Sequence, residues 1–270
     1  MRERTEKVVA VDTDLKGLVV IEACRRARIP VTLVVAGLFT REAEFEPRGL
    51  PHCLAVSEDY CLENATSLVF PARTPAEECR ARLPKMARCR VIYNGIADEF
   101  LDAPDPQPDK KRIGAVMRLA HVKNPQMLCR VATVLRDRGI ETDLVSGPAP
   151  RDMQQHVSRV NLIAPTHRDS ELAAFYGSHR AVFCPSHFEV SGNVPMEAIA
   201  SGTPAVVTKR MGISELFPEL GMAHMVIAAG DVDGAVDCLT QSEPVPRAVR
   251  DHLGARFRWP GACAEILSAE

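Results

Sequence analysis

The stretch CPSHFEVSGNVPMEAIASGTPAVV, from Cys184 to Val207, decides how the chain folds. One apolar run, AVFCP, ends at Cys184-Pro185, and a polar loop follows. Pro195 then opens a helix that Gly202 closes, and a second apolar run, PAVVT, begins. Proline inside the first turn and glycine just past the end are the asymmetry expected of a helix. Strand, loop, helix and strand in that order make one βα unit of a parallel sheet. Ser191, Gly192 and Asn193 therefore fall at a helix N-terminus, where free N–H groups and the helix dipole favour an anion such as pyrophosphate. Two carboxylates flank the same point, Glu189 in the loop and Glu197 on the helix. Taken by themselves, a solvated loop glutamate and a dipole-complementing helix glutamate explain the pair equally well.

The pattern repeats outward from this unit. IGAVM (Ile113–Met117), TDLVS, VNLIA, AVFCP, PAVVT and MVIA read as strands, with helical stretches between most of them. One helix spans about Pro125 to Arg138 and is ended by Gly139. Such a series predicts a Rossmann-like sheet, in which ligands bind at the carboxyl ends of the strands. The informative loops are then those after Met117, Ser146, Ala164, Pro185 and Thr208. Nearer the N-terminus, VVAV (Val8–Val11), VTLVV (Val31–Val35), CLAV (Cys53–Val56) and RVIY (Arg90–Tyr93) read as strands of a first α/β domain. A helix carrying Leu18, Val19, Ile21, Glu22, Arg25 and Arg26 joins the first two. Ala103–Asp109 holds Pro104, Pro106 and Pro108 and suits neither a helix nor a central strand. The expected division is a first domain over 1–107, a second over 108–255, and a C-terminal helix over 256–270 that packs back toward the first.

Composition narrows the function classes. With 46% hydrophobic and 25% charged residues, the chain has the balance of a soluble globular protein. A net charge of −2 gives no general attraction to nucleic acid. No apolar run reaches the length of a membrane span, and MRERTEKVVAVD has no apolar signal core, so a cytoplasmic location is expected. The nine cysteines are scattered, with no C-x-x-C and no zinc-ligand spacing, which predicts reduced, packed thiols and no metal site.

A second loop adds chemistry to the first. Arg118 follows IGAVM directly, and Lys123-Asn124 comes soon after, at the mouth of the same predicted sheet. Two cations there suit a diphosphate leaving group, whose developing charge needs fixed positive partners.

Arg118-x4-Lys123-Asn124, then Glu189-x7-Glu197-Ala198 and Gly202-Thr203-Pro204, resemble the donor site of retaining glycosyltransferase family 4. Val91-Ile92-Tyr93-Asn94-Gly95-Ile96, Glu171-Leu172 with Tyr176, Met211-Gly212-Ile213-Ser214-Glu215 and Arg256-Phe257-Arg258-Trp259 are similar in kind. The resemblance implies a GT-B architecture of two Rossmann-like domains, donor in the second and acceptor largely in the first. It implies that Arg118 and Lys123 neutralise a nucleotide diphosphate. Glu189 would bond donor-sugar hydroxyls, and Glu197 the ribose. Gly192, Asn193 and Val194 would offer backbone N–H groups. The co-substrate would be a UDP- or GDP-sugar, with no cofactor and no essential metal. Transfer would go, with retention of configuration, to a saccharide or lipid-linked acceptor of the kind used in cell-envelope polysaccharide synthesis.

The chain also departs from the family pattern. Val190 and Ser191 stand where a glycine and an aromatic are usual, Pro165 and Met211 where glycines are usual, and Val34-Val35-Ala36-Gly37 where a strand commonly ends in histidine. Family members also carry a strand and a glycine-rich loop before anything like Val8–Val11, so the first domain is expected to be incomplete. Two consequences are expected: a companion chain or self-association, and, as the alternative function, a nucleotide-sugar-binding subunit that is inactive alone. A sugar-nucleotide epimerase shares the architecture but not the paired glutamates. Arg80, Arg82, Lys85, Arg88 and Arg90 form a basic segment, read either as a solvated face or as a peripheral contact with the inner membrane face.

Overall fold

Two parallel sheets organise the residues described, 5–269, in a computed structural model. By internal contacts the chain divides into two compact units. Unit 1 takes the residues up to Gly95 with Phe188–Ser191 and those from Pro260 on; unit 2 takes Ile96–His187 and Gly192–Trp259.

Unit 1 runs β1 (Val8–Val11), α1 (Leu15–Ala27), β2 (Val31–Val34), α2 (Phe39–Glu42), α3 (His52–Asn64), β3 (Ser67–Phe70), α4 (Arg73–Arg82) and β4 (Cys89–Val91). Its sheet is parallel in the order β1-β2-β3-β4. Asp14 caps α1 by accepting from the Lys16 and Gly17 N–H groups at 2.9 Å, and Arg28 ends the helix in the left-handed region. Gly17 has to be glycine, because a Cβ there would sit 2.4 Å from the Asp12 carbonyl oxygen. Residues from Pro260 on join this unit, where Ala269 packs with Val69 and Ile92, and Lys7 Nζ donates to Leu267 O at 3.1 Å.

Cys53–Val56, expected as a strand, lies instead inside α3. The four-residue apolar run has no period of its own, whereas Ser57, Glu58, Cys61 and Leu62 beyond it are buried at helical spacing. The strand that fills this place is Ser67–Phe70, buried throughout.

Unit 2 runs α5 (Asp98–Leu101), β5 (Asp109–Val116), α6 (Pro125–Asp137), β6 (Glu141–Val145), β7 (Asn161–Ile163), α7 (Asp169–Gly177), β8 (His179–Cys184), α8 (Asn193–Ala200), β9 (Ala205–Thr208), β10 (Val226–Ile227), α9 (Val232–Gln241) and α10 (Arg247–Arg256). A last helix, α11, covers Trp259–Ser268. Every strand expected in this half of the chain is present. They pair in parallel in the order β7-β6-β5-β8-β9-β10, a doubly wound arrangement. α6 shows why: Met127, Leu128, Val131, Ala132 and Leu135 form its buried stripe, and Pro125 opens it behind the Asn124 cap.

The units part after Gly95, not at 107/108 in the proline-rich segment. That segment is a strap laid on unit 2. Gln107 N–H donates to Gly177 O and Asp109 N–H to Ser178 O, each at 3.0 Å. From α10 the buried Arg250 guanidinium reaches Asp105 at 2.8 Å, Ala200 O at 3.0 Å, and Ala103 O. Proline removes donors and so bars sheet pairing, but it does not prevent an extended segment from packing.

Candidate functional site

In unit 2, β5, β8 and β9 lie side by side, and hydrogen bonds tie together the loops at their carboxyl ends. Asn124 Nδ2 donates to Pro185 O at 3.2 Å, His187 N–H donates to Val122 O at 2.7 Å, and Thr208 Oγ1 donates to Ser186 O. Asn124 sits in the left-handed region at φ +56° and also accepts from Met127 N–H, so one side chain both starts α6 and fixes its neighbour loop. From β5 the chain winds outward through β6 and β7, then returns to the other side of β5 as β8. The strand order thus reverses between β5 and β8, and in such sheets ligands bind outside the carboxyl ends of the strands at that switch point.

The expected site residues distribute as follows. Arg118 and Lys123 lie in the loop after β5. Arg118 is exposed, with no ion-pair partner among the described residues, and Lys123 is half-buried. Gly192, Asn193, Val194 and Glu197 lie at the start of α8 after β8. This end of the unit 2 sheet therefore gathers all of these residues. Glu189 is half-buried in the loop joining β8 to α8, and its stretch, Phe188–Ser191, groups by contacts with unit 1.

Helix α8 starts at Asn193, two residues earlier than Pro195 marked. No side chain caps it. Gly192 at the cap has φ +113°, and a Cβ there would meet Met211 Cε at 2.9 Å and Ile213 Cγ2 at 3.1 Å. Glu197 thus falls beyond the first turn, where dipole complementation does not account for it. Its Oε2 accepts the Tyr176 hydroxyl at 2.9 Å, and burial pushes its carboxyl above the usual range. Tyr176 is fully buried, and burial with the neighbouring Glu197 charge raises its phenol as well. Neither the role of Asn124 nor this Tyr–Glu pair was read from sequence; both follow from contacts between distant segments.

His121 lies 3.8 Å from Asp152, and His187 is half-buried with its imidazole held below the usual value by burial and then Arg210. Among the described residues, no three His, Cys, Asp or Glu side chains gather as a metal ion would need, and no helix is long and apolar enough to cross a membrane. The basic segment is not one helical face. Arg80 and Arg82 end α4, Lys85 and Arg88 lie in the turn, and Arg90 is on β4, while Arg82 is occupied by Glu58 at 2.7 Å and by Asp59.

Known proteins resemble this chain in sequence and in fold. Residues 110–242 match the family model for glycosyl transferases group 1. A D-inositol 3-phosphate glycosyltransferase of Frankia alni is 28% identical over 212 residues, covering 67% of this chain and 52% of the relative. One from Corynebacterium jeikeium is 34% identical over 212 residues, covering 66% and 50%. The chain thus spans about half the length of these curated relatives. A sucrose-phosphate synthase from Thermosynechococcus elongatus superposes with a TM-score of 0.76 at 19% identity, over 97% of this chain and 72% of that one, a likeness of fold. The chain therefore carries a glycosyl transferases group 1 domain, over residues 110–242, in an α/β framework of the GT-B kind.

Proposed function

We propose that this protein transfers a sugar from a nucleotide-sugar donor, such as a UDP- or GDP-sugar, to a saccharide or lipid-linked acceptor, with retention of configuration. The observation that carries the reading is the switch in strand order between β5 and β8. One of the loops there brings Arg118 and Lys123, and the other brings the uncapped start of α8 and Glu197. The cations and the N–H groups of Gly192, Asn193 and Val194 receive the diphosphate and offset the charge that grows on it as the glycosidic bond breaks. Glu197 accepts from the ribose hydroxyls, and Glu189 from hydroxyls of the transferred sugar. These donors and cations supply what a bound metal would, so transfer proceeds in a chelator.

Val190 and Ser191 are buried where the family pattern has a glycine and an aromatic, and this favours a second reading. In it, the chain holds the nucleotide sugar without turning it over. Calorimetry with UDP, GDP and ADP, followed by a donor-consumption assay with the matching nucleotide sugars and EDTA, separates the two. Binding with turnover supports a transferase, and binding without turnover a subunit. No binding by any of the three at millimolar concentration overturns both. Contact with an anionic membrane face through Arg80, Lys85, Arg88 and Arg90 belongs to the same proposal and is read by vesicle co-sedimentation.

A further inference from the structure

The Tyr176 ring is accounted for by packing. It lies 6.0 Å, centroid to centroid, from both Phe100 and Phe175, and its backbone carbonyl accepts the Thr203 hydroxyl at 2.8 Å. Phenylalanine would satisfy all of this. The hydroxyl is a separate matter: it is cut off from solvent, a buried donor needs a partner, and its partner is Glu197 Oε2. Glu197 Oε1 accepts nothing from the described residues and belongs to a half-buried side chain. One carboxylate oxygen thus accepts the Tyr176 hydroxyl, and the other has no hydrogen-bond donor among the described residues.

We propose that Tyr176 is a positioning residue for the ribose of the donor: its hydroxyl locks the Glu197 side chain so that Oε1 is presented to the 2′- and 3′-hydroxyls. The proposal rests on the donor-site reading above. The lock has two effects. It removes rotamer freedom from a long side chain before the ligand arrives, which lowers the cost of ordering on binding. It also supplies a donor to the charged form of the carboxylate, against burial and the Asp169 charge on the same helix as Tyr176, both of which disfavour that form. The titratable groups acting on the pair are Asp169 from α7 and Cys184 from the end of β8. From α10, Arg250 meets α8 at the Ala200 carbonyl, in the helix's last turn.

The test is the preference of the full chain for UDP, GDP or ADP over the 2′,3′-dideoxy counterpart, measured by calorimetry across roughly pH 5–8. Taking the ratio cancels titration of the phosphates. The unaltered protein should prefer the ribonucleotide near neutrality and lose that preference as pH falls and Glu197 takes up a proton. Tyr176→Phe should cut the preference roughly tenfold, the worth of a charge-assisted hydrogen bond, and move its loss to higher pH by about one unit. Glu197→Gln should leave a ratio that does not change with pH. Phe100→Leu loosens the ring packing and keeps the hydroxyl, so it should lower the melting temperature without moving the pH profile. If the unaltered protein binds but Tyr176→Phe leaves ratio and profile unmoved, the positioning role is overturned and the donor site stands. If Phe100→Leu moves the profile as far as Tyr176→Phe, packing rather than the hydroxyl is responsible and the proposal is again overturned. If the unaltered protein binds none of the nucleotides, the donor-site reading itself has failed.

Discussion

His179 Nε2 lies 2.9 Å from Asp143 Oδ2, a buried contact that joins β8 to β6 across the intervening β5. Asp143 is 1% exposed and also accepts from Arg112 Nε at 2.8 Å and from Asn161 Nδ2 at 2.9 Å, so one carboxylate braces four strands. Burial alone would raise its pKa. The donors from Asn161, His179 and Arg112 together outweigh burial and hold the carboxyl below the usual range.

Asp143→Ala should therefore destabilise the protein by about 3–5 kcal/mol, because it leaves Arg112 and His179 without their buried partner. The folded state binds fewer protons at this site than the unfolded chain. Its contribution to stability is fully present above the unfolded carboxylate value and is lost as pH falls through the lowered folded one. Urea unfolding at a series of acidic pH values checks both points; an Asp143→Ala curve parallel to that of the unaltered protein would refute the linkage.

Glu58 should behave in the opposite sense. It is fully buried in unit 1, and burial pushes its carboxyl up despite donors from Thr40 and the nearby Arg82. The folded state holds the proton more tightly, so stability from this site is greatest at low pH and declines as pH rises from the unfolded value through the raised folded one. Glu58→Gln should flatten that decline, read as a smaller change in urea midpoint between pH values on either side of it.

Arg118→Ala and Lys123→Ala should each weaken a nucleoside diphosphate about tenfold or more while barely changing the nucleoside, since each removes a charge-assisted partner of the phosphates. Calorimetry with UDP against uridine, and the matching pairs for GDP and ADP, distinguishes this from two ordinary surface cations. Equal, small changes for nucleotide and nucleoside would show the latter.

Gly192→Ala should cost about 1–3 kcal/mol and reduce nucleotide binding, because φ +113° excludes L side chains and Met211 and Ile213 crowd the added methyl. Gly221→Ala is the control. It also has positive φ, at +70°, but nothing lies within 4 Å of its Cβ position, so only a backbone cost of about 1 kcal/mol is expected and no effect on binding. Thermal melts and calorimetry on the two variants compare strain at the site with strain away from it.

The sequence by itself determined the local βα units of the second half: the strand runs, the helix from Pro125, and the loops holding Arg118, Lys123 and Gly192–Val194. Those features rest on periodicity, proline and glycine, which act over a few residues. It also carried the donor-site resemblance, because the order and spacing of those residues are properties of the chain. Only the tertiary structure decided that β8 returns beside β5, which makes the two loops neighbours, since strand order is a relation between segments far apart in sequence. The same holds for the hydroxyl of Tyr176 on Glu197 and the bracing of four strands by Asp143. Cys53–Val56 went into a helix, and the proline strap onto unit 2, for a related reason. A short apolar run or an extended segment has no preference strong enough to resist the surface it can bury, and that surface exists only in the folded chain.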